Sequence, residues 1–348
     1  MSADDDDRRM PRPTVVIPTY NRRARLERVL QALSVQDFAE DFETVVVSDG
    51  SDDGTAEYLR SERVPLPVVA CLQANAGPAS ARNAGVREAT GDLIVFLDDD
   101  VVPTPALVRE HVETHARLGE RVVVIGPMLD PPDHTMSIYV RYEQAMLAKQ
   151  YDAMIRGDWA ATARQFYTGN ASLRREHVVA AGGFNTALRR AEDVELALRL
   201  DAMGLSFVFA PAAVGLHYAK RSFASWRNTA YSYGRSDVEF TSLPGQTDRL
   251  TFLMAEFGER KLAIRAVVRA VAGRPRMERS TELVLKWLAE LGGRFGLARP
   301  ASVVLSAVYN LAYYTGFMDA LGGREQFWRI RRKQSRERNG DRQLTSPQ

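Results

Sequence analysis

The strongest constraint on the fold is an alternation that fills the first hundred residues. Short apolar, β-rich runs at Thr14–Ile17, Thr44–Val47, Val68–Leu72 and Leu93–Leu97 are separated by three segments with helical character. Leu26, Val29, Leu30 and Leu33 recur at i, i+3, i+4 and i+7, one face of a helix, with Asn21 expected as its N-cap. Thr55–Arg60 reads as a short helix, and Pro78 opens another that runs to about Ala89. A β-α-β-α-β-α-β order implies an α/β fold with a mostly parallel central sheet and helices on both faces. Unbroken apolar character within the strands agrees, because parallel strands are buried on both sides.

The alternation continues less regularly. Ala106–Leu118 is predicted helical and Arg121–Ile125 a fifth strand. Residues 130–165 carry no clear period. Ala171–Leu173 and Phe207–Ala210 read as short strands around a helix at Val194–Met203 that Gly204 ends. Beyond about residue 220 the pattern becomes helical, over 222–240, 248–272, 279–296, 301–320 and 324–336. The expected organisation is a disordered acidic N-terminal tail (1–11), an α/β domain (12–221) and a helical C-terminal region with a basic tail (222–348).

Composition excludes some classes. A net charge of +2 on 348 residues gives no reason to expect nucleic acid as a partner. Local charge is stronger: Asp4–Asp7 precede Arg8 and Arg9, and Arg329, Arg331, Arg332, Lys333, Arg336 and Arg338 surround Trp328 and Ile330. A single cysteine, Cys71, rules out an intrachain disulfide and fits a cytoplasmic location; it is expected to be an inert strand residue. No apolar leader opens the chain. The longest apolar stretch, Val303–Met318, is shorter than the roughly 18–20 residues of a spanning helix, and Asn310 interrupts it. It reads as a packed helix or, beside the basic-aromatic stretch that follows, as an interfacial one. The sequence thus admits peripheral contact with the inner face of a membrane through residues 301–338.

In open parallel sheets, ligands bind beyond the carboxyl ends of the strands. Three such ends are polar: Pro18-Thr19-Tyr20-Asn21-Arg22, Ser48-Asp49-Gly50-Ser51-Asp52 and Asp98-Asp99-Asp100. Three adjacent aspartates after Leu93–Leu97 repel one another, and a hard divalent cation, Mn²⁺ or Mg²⁺, resolves that repulsion. If the strand continues, alternation points Asp98 and Asp100 to one side and Asp99 to the other. His111 and His115 stand four apart on a helix but lack a third ligand and a His-Glu-x-x-His pattern, so zinc is discounted there, and His134 is read as a loop residue.

Four ordered segments, Val15–Arg22, Val47–Thr55, Ala76–Gly85 and Gly91–Asp100, together resemble glycosyltransferase family two with the GT-A fold, a likeness that covers roughly residues 12–220. That resemblance implies a metal-dependent inverting transfer of a sugar from a nucleotide diphosphate, with UDP-sugars the favoured donors. It implies that Tyr20, with the Pro18, Thr19 and Asn21 segment, holds the base, that Asp49 accepts a hydrogen bond from it, and that Arg82 contacts the nucleotide or neutralises Asp98. Asp98 and Asp100 are the implied metal residues, with His217 completing the metal shell, and Asp98 and Asp99 the implied donor residues. Asn170, in Thr168-Gly169-Asn170, is implied to touch the donor sugar, and Lys220 and Arg221 to neutralise the leaving diphosphate. The pair Glu192-Asp193 also matches the family, with Asp193 as base; at a helix start the macrodipole is expected to keep it ionised, and Glu192 to titrate with it. Asn83 reads as a packing residue within its helix. The acceptor is a hydroxyl of a glycan, a lipid-linked sugar or a small molecule, and a homo-oligomer is admitted. Two rivals are a sugar-nucleotide-forming nucleotidyltransferase, which should carry a glycine-rich basic loop where Pro18–Arg22 stand, and a non-catalytic nucleotide-sugar binding module, which should lack Asp100 or Asp193.

Overall fold

A computed structural model describes residues 10–188, 190–243, 246 and 248–344, with side chains through residue 334. The acidic run Asp4–Asp7 with Arg8 and Arg9, and the side chains of Arg336 and Arg338, lie outside the described residues. The chain divides into two compact units. One runs to Thr135 and resumes over Glu143–Ala219; the other comprises Met136–Tyr142 and everything from Lys220 on.

The first unit contains β1 (Pro13–Thr19), α1 (Arg23–Leu33), β2 (Glu43–Asp49), α2 (Thr55–Leu59), β3 (Val69–Gln73), α3 (Pro78–Glu88), β4 (Leu93–Leu97), β5 (Val101–Pro103), α4 (Leu107–Leu118), β6 (Val122–Ile125) and β7 (Met128–Leu129). Helix α5 (Ile138–Ile155) starts in the second unit and ends in the first. Then come β8 (Asn170–Arg174), α6 (Arg175–Ala180), α7 (Glu192–Ala202), β9 (Ser206–Phe209) and β10 (Gly215–His217). The main sheet has the order β3-β2-β1-β4-β8-β6-β9. Its strands are parallel except β8, which runs antiparallel to both β4 and β6.

Alternation along the strands explains the two covered faces. Val15 and Ile17 of β1 pack with Val95 and Leu97 of β4, against Leu26 and Leu30 of α1 and Val108 and Val112 of α4. Each such buried side chain contributes about 1.5–3 kcal/mol. Val16 points the other way, under α3, where a Cβ on Gly85 would collide with its side chain. Glycine at 85 is what lets α3 lie this close to the sheet. β3 departs from the expectation of burial on both sides: it is the sheet edge, with Val69 39% and Leu72 41% exposed. Cys71 sits half-buried on it, its thiol pushed up by burial, which keeps it unreactive at neutral pH.

A second sheet, β5-β10-β7, is too short to announce itself in a sequence. It pairs His217 with Val101. In the interior, His111 contacts Ser172 Oγ through Nδ1 (2.8 Å) and Asn170 Oδ1 through Nε2 (2.9 Å), and His115 Nε2 meets the same Ser172 Oγ at 2.9 Å. Burial pushes His111 down to about 4 and His115 down to about 3. Both therefore stay neutral when folded at pH values where an unfolded chain, titrating near 6.5, takes up protons. Stability from these two groups is complete above about pH 6.5 and falls on acidification, by up to about 1.4 kcal/mol per pH unit for each histidine. Urea unfolding at pH 7 and pH 5 should reveal this loss, and His115→Gln should lessen it; stability equal at both pH values would refute the assignment.

The second unit holds α8 (Phe223–Glu239), α9 (Arg249–Glu259), α10 (Leu262–Val271), α11 (Pro275–Arg294), α12 (Ala298–Ala320) and α13 (Arg324–Leu344). The single helix expected over 248–272 is two, broken where Arg260 and Lys261 are extended. The break lets Leu253, Met254 and Phe257 of α9 and Val268 and Val271 of α10 enter one core with Tyr314, Phe317 and Phe327. The apolar run Val303–Met318 is largely interior, with Leu305, Val308, Leu311, Tyr314, Phe317 and Met318 buried, and the Asn310 amide donates to the Ser306 carbonyl. Among the described residues no helix is long and apolar enough to cross a membrane.

Candidate active site

The register Thr19↔Ser48 sets the carboxyl ends of β1 and β2 side by side, and β4 pairs with β1 on its other edge. Tyr20, just past β1, is 49% exposed, so it is a surface ring and not a core aromatic. Asn21 does not cap α1, as its position suggested. It takes the left-handed conformation at φ 52, its N–H donates to Ser51 Oγ (3.1 Å), and its Oδ1 accepts from the Asp52 N–H (2.8 Å). The first N–H of α1, on Arg23, goes instead to Asp53 Oδ2 at 2.8 Å. Asn21 thus ties the β1 loop to the β2 loop. The Asp49 carboxylate is buried and accepts from Gln73 Nε2 (2.6 Å) and from the N–H groups of Ala76 (2.9 Å) and Gly77 (2.8 Å). It shapes the entry to α3 and keeps about one of four acceptor positions open.

The three aspartates lie beyond the strand, which ends at Leu97, so strand alternation does not govern them. The alternation expected if the strand continued does not apply, and each aspartate has its own partners. Asp98 accepts from Arg82 at 2.8 Å and rests its Oδ2 over Gly169, where a side chain would crowd it. Asp99 turns inward, 4% exposed, bound by Thr19 Oγ1 (2.8 Å) and Arg22 (2.9 Å). Burial outweighs Arg22 and pushes Asp99 up to about 6. An inward carboxylate bonded to Thr19 and Arg22 holds the loop, a structural part that the binding role expected of it did not include. Asp100 meets Arg25 at 2.8 Å, Arg22 at 3.4 Å and His217 Nε2 at 3.6 Å. The small sheet brings His217 there, and the Tyr218 N–H donates to the Asp100 carbonyl at 2.8 Å.

Among the described residues no three of His, Cys, Asp and Glu gather into a metal-holding group. Asp100 and His217 nevertheless fit as a pair of ligands. Two donors each about 2.1 Å from one cation stand about 3 Å apart at right angles, close to the 3.6 Å between these atoms. An oxygen and an imidazole nitrogen suit Mn²⁺, and two arginines on Asp100 balance a charge that a cation would otherwise balance.

The second constellation is joined to the first by Arg82. Its guanidinium, 6% exposed, forks between Asp98 and Glu192, at 2.8 Å to each. It also lies over the Phe184 ring, 5.8 Å from the centroid. Asn83, one residue on, clamps Phe184 by its backbone: Nδ2 donates to the carbonyl and Oδ1 accepts from the N–H, both at 2.8 Å. Ala191 is left-handed at φ 58, a conformation that costs a non-glycine residue about 1–2 kcal/mol and tends to mark functional turns. It sets Glu192 and Asp193 at the first turn of α7. Asp193 accepts from the Val194 N–H at 2.8 Å. Burial, then the charge of Glu192, pushes it up to about 7, against the pull of Arg82. The expectation that the helix dipole keeps Asp193 ionised is therefore corrected: desolvation wins. Glu192 is tied to Arg82, and its charge helps to raise Asp193, as expected of two adjacent acids.

Other sequence candidates are placed elsewhere. Asn170 is fully buried, its amide donating to the Pro127 and Ala213 carbonyls and its oxygen on His111, so it has nothing left for a sugar. Arg174 pairs with Asp92, and Arg175 donates to the Val86 carbonyl at 2.9 Å. His134 Nε2 meets the Ala219 carbonyl at 3.0 Å. Lys220 and Arg221 open the second unit, three and four residues past His217. Sequence reasoning missed Arg25 as a partner of Asp100; its place one turn after Arg22 on the same helix face was the available signal.

Comparison with known proteins places the chain in a family and a fold. Residues 14–192 match the family described as glycosyl transferase family 2. The chain is 29% identical over 253 residues to the uncharacterized glycosyltransferase YfnE of Bacillus subtilis, covering 59% of this chain and 64% of that protein. It is 32% identical over 233 residues to validoxylamine A glucosyltransferase of Streptomyces hygroscopicus subsp. jinggangensis, covering 60% of this chain and 55% of that protein. The chain thus spans less than two thirds of the length of these relatives. Among solved structures, the mannosyltransferase PcManGT of Pyrobaculum calidifontis, in complex with GDP-Man and Mn²⁺, aligns with a TM-score of 0.59 at 22% identity over 89% of this chain and 87% of that one. S. aureus TarS in complex with UDP aligns with a TM-score of 0.53 at 16% identity, over 89% of this chain and 92% of that one. These structural likenesses establish the GT-A fold.

Proposed function

The chain belongs to glycosyl transferase family 2, and we propose that it moves a glycosyl group, with inversion, from a nucleotide-diphosphate sugar to an acceptor hydroxyl. The observation that carries this reading is the Arg82 fork, which links the Asp98–Asp100 loop to the Glu192–Asp193 pair at 2.8 Å on each side. A donor loop and a base held by one buried cation is what a displacement between two bound substrates requires.

In this reading residues 12–221 form the catalytic domain and 222–348 a helical region. Exposed Tyr20 offers a face for the nucleotide base, and Asp49 one remaining acceptor position. Asp98, 35% exposed at its side chain, faces the donor. Asp100 and His217 would hold Mn²⁺ or Mg²⁺, which would supply positive charge for the donor diphosphate. Lys220 and Arg221, next in the chain, add positive charge for the departing diphosphate. Asp193, ionised above about pH 7, takes the proton of the acceptor hydroxyl as its oxygen attacks the anomeric carbon. A UDP-sugar is the donor we favour, with a glycan, a lipid-linked sugar or a small molecule as acceptor. Peripheral membrane contact through residues 301–338 falls to the exposed arginines of α13, since α12 is largely interior. A cytoplasmic location and self-association complete the proposal.

Nucleoside diphosphates should raise the melting temperature in the presence of Mn²⁺. Saturation at about a hundred times Kd adds about 2.7 kcal/mol to the folded state. Asp100→Ala should remove the metal-dependent part and leave the chain folded. No stabilisation by any nucleoside diphosphate with Mn²⁺ would overturn the reading.

A further inference from the structure

The second unit contains a cavity of about 1290 Å³ that has no part in the site described above. Seven arginines and a single glutamate, Glu325, stand around it. Arg265 and Arg269 come from α10, Arg274 from the turn before α11, and Arg324, Arg329 and Arg332 from α13. Among the described residues no carboxylate stands within ion-pair distance of these six. Arg82, Arg174, Arg227 and Arg249, buried or half-buried elsewhere in the chain, each have a carboxylate partner.

The cluster is built and not merely accumulated. Arg324 donates to the carbonyls of Ala272 and Arg269, and Arg274 to that of Ala270 at 2.9 Å. These bonds fix two guanidiniums beside the end of α10. Arg269 and Arg324 lie against the Trp328 ring, 5.7 and 5.8 Å from its centroid. The Arg265 Nε is buried with no hydrogen-bond partner. Burial, then the charges of Arg274 and Arg269, lowers Arg324 from its ordinary value, and the more distant Glu278 offsets only part of this. Such crowding is unfavourable until an anion enters. Guanidinium forks match phosphate oxygens two at a time, which favours phosphate over a lone carboxylate. The volume exceeds what one phosphate fills and is larger than the roughly 300–1,000 Å³ of usual organic ligand sites, so the ligand need not fill it. Phe257, Trp328 and Leu262, the last 74% exposed, supply an apolar wall.

We propose that this cavity binds an organic phosphate carrying at least two negative charges, its phosphates among Arg265, Arg269, Arg274, Arg324 and Arg332 and its organic part along Trp328 and Leu262. The ligand is either a soluble diphosphate or the phosphomonoester headgroup of a lipid. The inference does not rest on the glycosyl-transfer reading.

The test uses the full chain without divalent metal. Calorimetry with inorganic pyrophosphate probes the soluble source. Co-sedimentation with phosphatidylcholine vesicles containing about 20% phosphatidic acid probes the lipid source. Arg269 and Arg332 are exposed, so Arg269→Gln with Arg332→Gln should fold and should weaken binding at least about tenfold. Arg60→Gln with Arg63→Gln, the same change in net charge on exposed residues of the first unit, should leave it unchanged, as should Asp100→Ala. Binding of pyrophosphate alone assigns a soluble ligand, and binding of vesicles alone a lipid. No binding of either probe, equal weakening by the two arginine pairs, or loss on Asp100→Ala overturns the proposal.

Discussion

Asp193→Asn is expected to lower the transfer rate by about 10²–10⁴-fold while donor binding is kept, because an amide cannot take the proton of the acceptor hydroxyl. The same change should make the protein more stable at pH 8. Burial and the neighbouring Glu192 push Asp193 up to about 7, so the folded state holds a proton that an unfolded chain gives up near pH 4. Stability contributed by that proton is complete below about pH 4 and is lost as pH rises through 7. Asparagine mimics the protonated acid and should escape the loss, with a gain of about 1–4 kcal/mol at pH 8 and little at pH 4. Lost turnover with raised stability is what a strained functional group gives; a purely structural Asp193 would give the opposite sign in denaturation. The rate of the native enzyme should also rise about tenfold per pH unit up to pH 7 and then level. Turnover retained in the asparagine variant would reassign the base.

Much of the first unit was legible because its order is local. Each apolar run of four or five residues became a strand within two residues of its expected bounds, and Leu26, Val29, Leu30 and Leu33 all turned inward as their spacing required. The site was legible as parts. What the sequence withheld was pairing over long separations. The meeting of Arg82 with Asp98 was among the expectations, but nothing near either residue says that Arg82 also meets Glu192, 110 residues away. His217 reaches Asp100 through a three-residue strand that no periodicity can mark. Asn170 looked like a ligand residue because it stands at a strand end in polar company, yet its partners are buried carbonyls and a histidine from distant segments. Asn21 misled for a local reason: asparagine serves caps and left-handed turns equally well, and the second use won. Polar residues at strand ends thus carry their chemical type in the sequence, but not the direction in which they face.

That dependence on distant partners gives Arg82 the largest structural effect. Arg82→Met keeps much of the side-chain volume and removes the charge between two carboxylates. Glu192 would be left buried without its cation, facing the half-exposed Asp98, with Asp193 beside it. Breaking a buried pair in this way costs about 3–5 kcal/mol, well above the worth of an exposed pair. Denaturation at pH 7 should therefore register a loss in this range, partly recovered at pH 5 where the orphaned carboxylates can take up protons. A loss below about 1 kcal/mol would mean that the fork is a surface pair and not an organising one. Arg82→Lys separates charge from geometry. Lysine keeps the charge but offers no planar fork, so it can serve one carboxylate well and not both. Arg82 also holds Asp193 down against burial and Glu192. A lysine drawn toward Asp98 would relax that hold, and the pH at which turnover reaches half its maximum should move upward from about 7, with the folded fraction unchanged. A shift downward, or none, would place Arg82 with the donor loop alone and remove it from the acid-base machinery.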